Sequence, residues 1–151
     1  MRFMIIRRSD QNMEAGALPD KKLMTAVGRY YQDMRDAGIL LGGEWLQPSR
    51  KGARLVASEG KKTILDGPFT ELKELIAGYT IIDVPSLEEA IAWAQRCPTM
   101  SGDCTTEMEI RQVYEAADFP PELAPELTLH SSERISRDAA KLLKPEPVSS
   151  H

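Results

Sequence analysis

The sequence predicts one α+β domain in which two β-α-β units flank a β-hairpin. Three observations predict it: apolar residues alternate as in strands, two segments carry apolar residues three and four apart as in helices, and a glycine turn joins two short strand-like segments. The chain has 151 residues, of which 42% are hydrophobic and 28% charged. It therefore has room for one globular domain with its own core.

The first β-α unit is predicted near the start of the chain. Phe3–Arg8 is predicted to be a strand, apolar on both faces because side chains alternate along a strand. Gln11–Pro19 is predicted to be a polar loop, after which Asp20 caps a helix that ends at Gly38. The apolar face predicted for this helix consists of Leu23, Val27, Tyr30 and Met34.

The middle of the chain is predicted to be β-structure. Ile39–Leu46 reads as a strand in which Gly42 and Gly43 indicate a bulge or a close backbone contact. Arg54–Ala57 and Lys62–Leu65 are predicted to form a hairpin around a Glu-Gly turn.

The second β-α unit follows. Ala77–Val84 is predicted to be a strand, and Ser86 with Glu89 forms a capping-box sequence at the start of a helix. Glu107–Glu115 is predicted to be a half-exposed strand. The helix residues predicted to point inward are Leu87, Ala90, Ile91 and Ala94.

Residues 1–119 are therefore predicted to form the domain, and residues 120–151 a C-terminal extension. Three prolines open this extension, Ser131 or Ser132 can cap a short helix carrying Ile135, Ala139 and Leu142, and the tail after it is predicted to be disordered.

This order of elements is that of a ferredoxin-like split βαβ fold: an antiparallel sheet with both helices on one face. The other face of the sheet is also apolar, and an exposed apolar face normally marks an interface. We therefore expect a homodimer in which two sheets meet, with a cleft near the seam.

Composition narrows the choice of partners. The formal net charge is −4 and basic residues are scattered, which argues against nucleic-acid binding. No apolar run is long enough for a membrane span or a signal peptide, so no membrane association is expected and the cytoplasm is the expected compartment.

The pair Cys97 and Cys104 has three functional interpretations: a disulfide, a redox pair or part of a metal site. Neither cysteine belongs to a CxxC motif. Free thiols are the favoured interpretation in a reducing compartment. No phosphate-binding glycine loop or nucleophile elbow is present, so neither a metal nor a cofactor is predicted.

The segment Asp66–Glu74, with the sequence DGPFTELKE, has two interpretations. As a turn, its Asp, Gly and Pro are ordinary turn residues, Phe69 fills the core and Lys73 pairs with a glutamate. As a site, it presents Asp66 at the mouth of a pocket for proton transfer, with Lys73, Glu71 and Glu74 nearby.

Six blocks of sequence, in this order, resemble the DGPF branch of the YCII-related family. They are Gly38–Glu44, Leu46–Ser49, Lys51–Arg54, Asp66–Tyr79, Glu88–Ala94 and Glu109–Val113. The resemblance covers about residues 1–119 and implies the dimeric α/β-barrel form of the ferredoxin-like fold.

The resemblance also implies that some relatives pair a histidine on the first helix with the aspartate of the strand-end motif. Asp66 matches that aspartate, but the place of the histidine falls at about Val27, and the only histidines are His130 and His151. An enzyme mechanism would instead need Asp66 with Arg54, Lys73 or Glu44.

Three functions follow as hypotheses. The first is a homodimeric domain that binds a small ligand near Asp66 and Arg54, where Arg54 orients an anionic group. The second is a hydrolase-like enzyme with Asp66 as acid or base. The third is a regulatory partner of a sigma factor, which the resemblance implies because some DGPF relatives are fused to or encoded beside one.

Overall fold

A four-stranded antiparallel sheet forms the centre of the fold. The computed structural model describes residues 1–99, 105–123 and 125. Its helices and strands, in chain order, are β1 (Arg2–Arg8), α1 (Gln11–Glu14), α2 (Lys21–Asp36), β2 (Leu40–Trp45), β3 (Ala53–Ser58), β4 (Lys61–Asp66), β5 (Ile76–Asp83), α3 (Leu87–Gln95) and β6 (Met108–Gln112).

The strand order in the sheet is β2-β5-β1-β6, and every pair is antiparallel. The remaining strands, β3 and β4, form a separate hairpin inserted between β2 and β5. This topology confirms the predicted α+β class and is compatible with the ferredoxin-like fold. The sheet is open and does not close into a barrel within the described chain.

The core lies between one face of the sheet and the helices α2 and α3. Phe3, Met34 and Ile82 have the largest fully buried side chains, and each stabilises the fold by about 1.5–3 kcal/mol. The predicted face of α2 is confirmed, because Val27 and Tyr30 are buried with Met34 and Leu23 is half-buried.

The predicted helix ends are also confirmed. The Leu23 amide donates to the Asp20 carboxylate at 2.8 Å, and Gly38 adopts the left-handed conformation (φ 71°) that follows a helix end. The Glu89 amide donates to Ser86 Oγ at 3.2 Å, so this hydroxyl caps α3. In β2, the register shifts between Leu40 and Gly42, as the predicted bulge requires.

Two local predictions are wrong. The predicted loop Gln11–Pro19 contains α1, because Asp10 accepts from the Met13 amide at 2.8 Å and caps a helical turn. On α3, Leu87 and Ile91 are exposed rather than inward, while Ala90 and Ala94 are buried as expected. The buried face is rotated toward Trp93, which packs against the core.

The chain divides into two units, Met1–Val113 and Tyr114–His151, and of the second unit the structure describes residues 114–123 and 125. Within the second unit, Ala116–Asp118 forms a 3-10 turn whose cap is the Glu115 amide donating to Asp118 Oδ2 at 2.7 Å. The helix and the disordered tail predicted beyond residue 125 lie outside the described residues, as does Cys104. Among the described residues, no helix is long and apolar enough to cross a membrane.

Candidate functional site

The Asp66–Glu74 motif closes over the turn at Ser49. The Phe69 amide donates to Ser49 Oγ at 3.1 Å, and the Gly67 amide donates to the Gly52 carbonyl at 2.9 Å. Gly67 lies so close to Ser49 that a Cβ at this position would overlap the Ser49 carbonyl oxygen. A glycine is therefore required here by the close approach of two backbone segments.

Glu14 ties α1 to the same turn. Ser49 Oγ donates to Glu14 Oε2 at 2.6 Å, and the Ser49 amide donates to the same carboxylate oxygen at 3.1 Å. Arg50 Nη1 donates to the Glu14 carbonyl at 2.9 Å. We call Glu14, Ser49, Gly67 and Phe69 the motif clasp, because they hold three chain segments together.

Arg54 lies beside the motif clasp. Its guanidinium is 4.3 Å from the centre of the Phe69 ring, and its Nη2 lies 3.7 Å from Glu74 Oε2. Phe69 is half-buried beneath this arginine and is not part of the buried core, so the prediction that it fills the core is wrong. A cleft of about 370 Å³ opens here, lined in part by Glu14, Arg54, Phe69 and Glu74.

The other predicted site residues are not among those lining this cleft. Asp66, at the end of β4, is exposed and pairs with Ala53 in the hairpin. Glu71 and Lys73 are exposed, and within the described chain Lys73 has no carboxylate within 4.0 Å. Glu44 is exposed on β2, opposite Tyr79. The structure thus brings Arg54 and Glu74 together, and an acid or base role for Asp66 stays a prediction.

A second cavity, of about 50 Å³, lies between α2 and the sheet. Its floor follows from the strand register, which aligns Trp45, Gly78, Arg7 and Met108 in one row across the four strands. Because Gly78 has no side chain, the row has a gap between Trp45 and Arg7. We call this space the Arg7 cavity.

Gly78 cannot be replaced without moving β2. A Cβ at Gly78 would lie 2.6 Å from the Glu44 carbonyl oxygen and 3.3 Å from the Trp45 Cα. The close approach of β2 and β5 therefore demands a glycine at this position of the cavity floor. The helical wall opposite consists of Val27, Tyr30 and Tyr31.

Most polar groups of the Arg7 cavity are satisfied by the protein. The Tyr31 and Thr80 hydroxyls are hydrogen-bonded at 2.8 Å, and the Tyr30 hydroxyl donates to the Trp93 carbonyl at 3.0 Å. Burial, and to a lesser degree the neighbouring Cys97, raise the pKa of Tyr30 well above its usual range. The Tyr30 phenol is therefore neutral at physiological pH.

Arg7 differs from these tyrosines. Its Nε is buried and has no hydrogen-bond partner among the described residues. Burial raises the pKa of the Cys97 thiol and the positive charge of Arg7 lowers it, with burial the larger effect. Cys97 is therefore a neutral thiol at pH 7, not a thiolate nucleophile, and it forms no disulfide in the described chain.

Sequence reasoning missed Arg7 as a site residue, although the alternation of β1 contained a signal. Phe3, Ile5 and Arg7 lie on the same face of the strand because they are two residues apart. Phe3 and Ile5 are buried under the helices. An arginine next in that series is a charge directed at a core face, which is unusual enough to mark a candidate site.

Comparison with known proteins identifies the family of this chain. The YCII-related domain matches residues 1–114 of this chain. An uncharacterised protein of Rhizobium meliloti (strain 1021) is 31% identical over 103 residues, which span 67% of this chain and 82% of that relative. The chain belongs to the YCII-related family. Within the described residues, no three His, Cys, Asp or Glu side chains are grouped to hold a metal ion.

Proposed function

We propose that this chain is a homodimeric domain that binds a small molecule in the Arg7 cavity. The observation that carries the proposal is the cavity between α2 and the sheet, where Gly78 contributes no side chain to the row between Trp45 and Arg7. The lining is mainly apolar and aromatic, as in most small-molecule sites. Trp45, at one end of the row, is 46% exposed, so the cavity has a route to solvent.

The cleft beside Arg54 is the weaker candidate for a ligand. Arg54 already stacks on Phe69 and lies near Glu74, so a ligand anion would compete with contacts that the chain makes itself. Asp66 lies outside that cleft, and the proposed enzyme function gains no support from its exposed position. The sigma-factor partnership stays a prediction from the resemblance.

Dimerisation is supported by the second face of the sheet. Met4, Ile6, Tyr79 and Ile81 form a half-buried apolar patch on the face opposite the core, where β1 and β5 pair. Two copies meeting through this face would remove the patch from water, which is favourable by about 25 cal/mol per Å².

Sedimentation equilibrium tests the dimer. We expect a dimer at micromolar concentration, and Ile6→Glu should shift it to a monomer because the carboxylate would be buried at the seam. The control Ile64→Glu changes a side chain that is 68% exposed on the hairpin and should leave the dimer intact. A wild-type monomer at 100 µM, on the order of cellular abundance or above, would contradict the dimer proposal.

A thermal-shift screen with a small-metabolite library tests ligand binding. A ligand present at about 100 times its Kd should stabilise the fold by about 2.7 kcal/mol. Val27→Phe places a larger side chain in the cavity and should abolish that stabilisation. Leu18→Phe, at a position 87% exposed, is the matched control and should retain it.

The unliganded melting curve of Val27→Phe shows whether the variant folds, and Val27→Leu is the milder replacement if it does not. The binding proposal is wrong if no compound class stabilises the wild type, or if filling the cavity leaves every ligand effect unchanged.

A further inference from the structure

We infer that the ligand of the Arg7 cavity is a monoanion: one carboxylate on a flat apolar body, bound by the Arg7 guanidinium. This inference rests on the proposed function, because it names the chemical class that the same cavity takes. It makes Arg7 the residue that determines specificity.

The position of Arg7 is fixed by the fold. Arg7 pairs with Gly78 on one side and Met108 on the other, both antiparallel, and the register with β5 shifts directly after Arg7. Its side chain starts on the face that buries Phe3 and Ile5, which are 1% and 5% exposed. The arginine is therefore directed toward the helices by the same alternation that builds the core.

Arg7 and its neighbour in sequence, Arg8, differ in their counter-ions. Arg8 lies on the other face, and its Nε is likewise buried without a hydrogen-bond partner in the described chain. Its guanidinium nevertheless has counter-ions, because its Nη2 donates to Glu109 Oε2 at 2.7 Å and its Nε lies 3.8 Å from Glu107. Arg7 has no carboxylate within 4.0 Å in the described chain. A half-buried guanidinium without a counter-ion lowers the stability of the fold. A bound carboxylate would supply the missing counter-ion.

The charged side chains that line the Arg7 cavity determine which ligand charge it favours. Among the described residues that line the Arg7 cavity there is no aspartate, glutamate, lysine or histidine, so Arg7 is the one charged side chain of this set. A guanidinium binds a carboxylate through two parallel hydrogen bonds. A phosphate dianion would leave its second charge uncompensated among apolar groups, so the cavity favours a single negative charge.

The spacing of Trp45 and Arg7 limits the shape of the ligand. Trp45 and Arg7 lie two strands apart across Gly78, and adjacent strands are separated by about 4.8 Å. Their side chains thus flank a gap of roughly 10 Å between strand axes. The enclosed volume of about 50 Å³ is too small for a whole ring, so the carboxylate would lie inside beside Arg7 and the ring would extend toward the exposed Trp45. Val27 and Tyr30 supply an apolar surface above this gap.

The experiment measures the affinity of matched probes through Trp45 fluorescence, with Trp93→Phe as the background to remove the other tryptophan. The carboxylate probes are benzoate and cyclohexanecarboxylate, benzamide is the neutral isostere of benzoate, and phenyl phosphate is the dianion. The variants are Arg7→Gln, Arg7→Lys and Arg8→Gln, and each is checked for a cooperative melting transition.

We expect at least one carboxylate to bind at millimolar concentration or tighter, with benzamide and phenyl phosphate at least ten times weaker. Arg7→Gln should weaken carboxylate binding at least tenfold and remove the preference over benzamide. Arg7→Lys should recover part of it, because the charge remains but the forked geometry is lost. Arg8→Gln should change the affinity less than threefold.

Failure of charge selection by Arg7 and failure of ligand binding by the cavity give different results. If benzoate and benzamide bind equally, or if neutral compounds bind and are lost in Val27→Phe while all carboxylates fail, the cavity binds ligands but the charge selection by Arg7 is wrong. If no probe and no library compound binds, the inference and the proposed function both fail.

Discussion

The motif clasp and the Arg7 cavity differ in how their polar groups are satisfied. In the clasp, the Glu14 carboxylate and the Ser49 hydroxyl bond each other, and the Phe69 amide bonds that hydroxyl. In the cavity, Arg7 Nε is buried without a partner in the described chain. Groups bonded within the chain stabilise a fold, whereas an unpaired buried group costs stability and is more readily explained by a ligand.

This contrast shows that the most conspicuous sequence motif need not contain the binding residues. The glycine of the motif is accounted for by its contact with Ser49, and the phenylalanine ring by the Arg54 guanidinium that stacks on it. The two regions are also connected, because Met13 lines the cavity and the next residue, Glu14, belongs to the clasp. Loosening the clasp is therefore expected to weaken ligand binding indirectly, through α1.

The largest effect is expected at Gly67. Gly67→Ala should lower the free energy of unfolding by about 2–4 kcal/mol, because the new methyl group overlaps the Ser49 carbonyl and two backbone segments must separate. Chemical denaturation measures this loss. Gly28→Ala, on α2, is the control, because a Cβ at this position has no atom within 4 Å. It should raise the free energy of unfolding by about 0.5–1 kcal/mol. Equal effects of the two substitutions would show that the clasp is not tightly packed.

A smaller loss is expected from Ser49→Ala. It removes the hydroxyl that donates to Glu14 and accepts from Phe69, so the free energy of unfolding should fall by about 1–3 kcal/mol. Ser58→Ala, on the exposed end of the hairpin, should change stability by less than about 0.5 kcal/mol. If Ser49→Ala is as neutral as Ser58→Ala, the clasp does not stabilise the motif.

The two neighbouring arginines should respond with opposite signs. Arg7→Met should raise the free energy of unfolding by about 1 kcal/mol, because it removes an unpaired group from an apolar cavity. Arg8→Met should lower it by about 0.5–1 kcal/mol, because it breaks the ion pair with Glu109. A loss of stability in both variants would mean that Arg7 is satisfied within the protein and would remove the contrast between the faces.

The smallest effect concerns Tyr30, a satisfied polar group of the same cavity. Burial raises its pKa above the unfolded value of 10.0, so the folded state favours the neutral phenol. The resulting stabilisation is fully present below pH 10 and declines as pH rises above it, by about 0.8 kcal/mol at pH 10.5. Tyr30→Phe should lose less stability than wild type between pH 9 and 10.5 in urea titrations. Parallel pH curves for the two proteins would contradict this assignment.

Local sequence signals predicted most of the fold. The caps at Asp20 and Ser86 and the stop at Gly38 depend on residues within four positions, so they were visible without a structure. The face of α3 was less predictable, because nine residues give only two and a half turns and alanines fit either side. Trp93, rather than Leu87 or Ile91, packs against the core.

The sequence by itself determined the elements, their order and the strand face on which Arg7 lies, because these follow from periodicity and capping between near neighbours. The tertiary structure decided what Arg7 meets there. The cavity is enclosed by residues of separate strands and helices, and the clasp joins Glu14 to Ser49 across 35 residues. Such contacts depend on how distant segments pack, and no local pattern encodes an empty space or an unpaired charge.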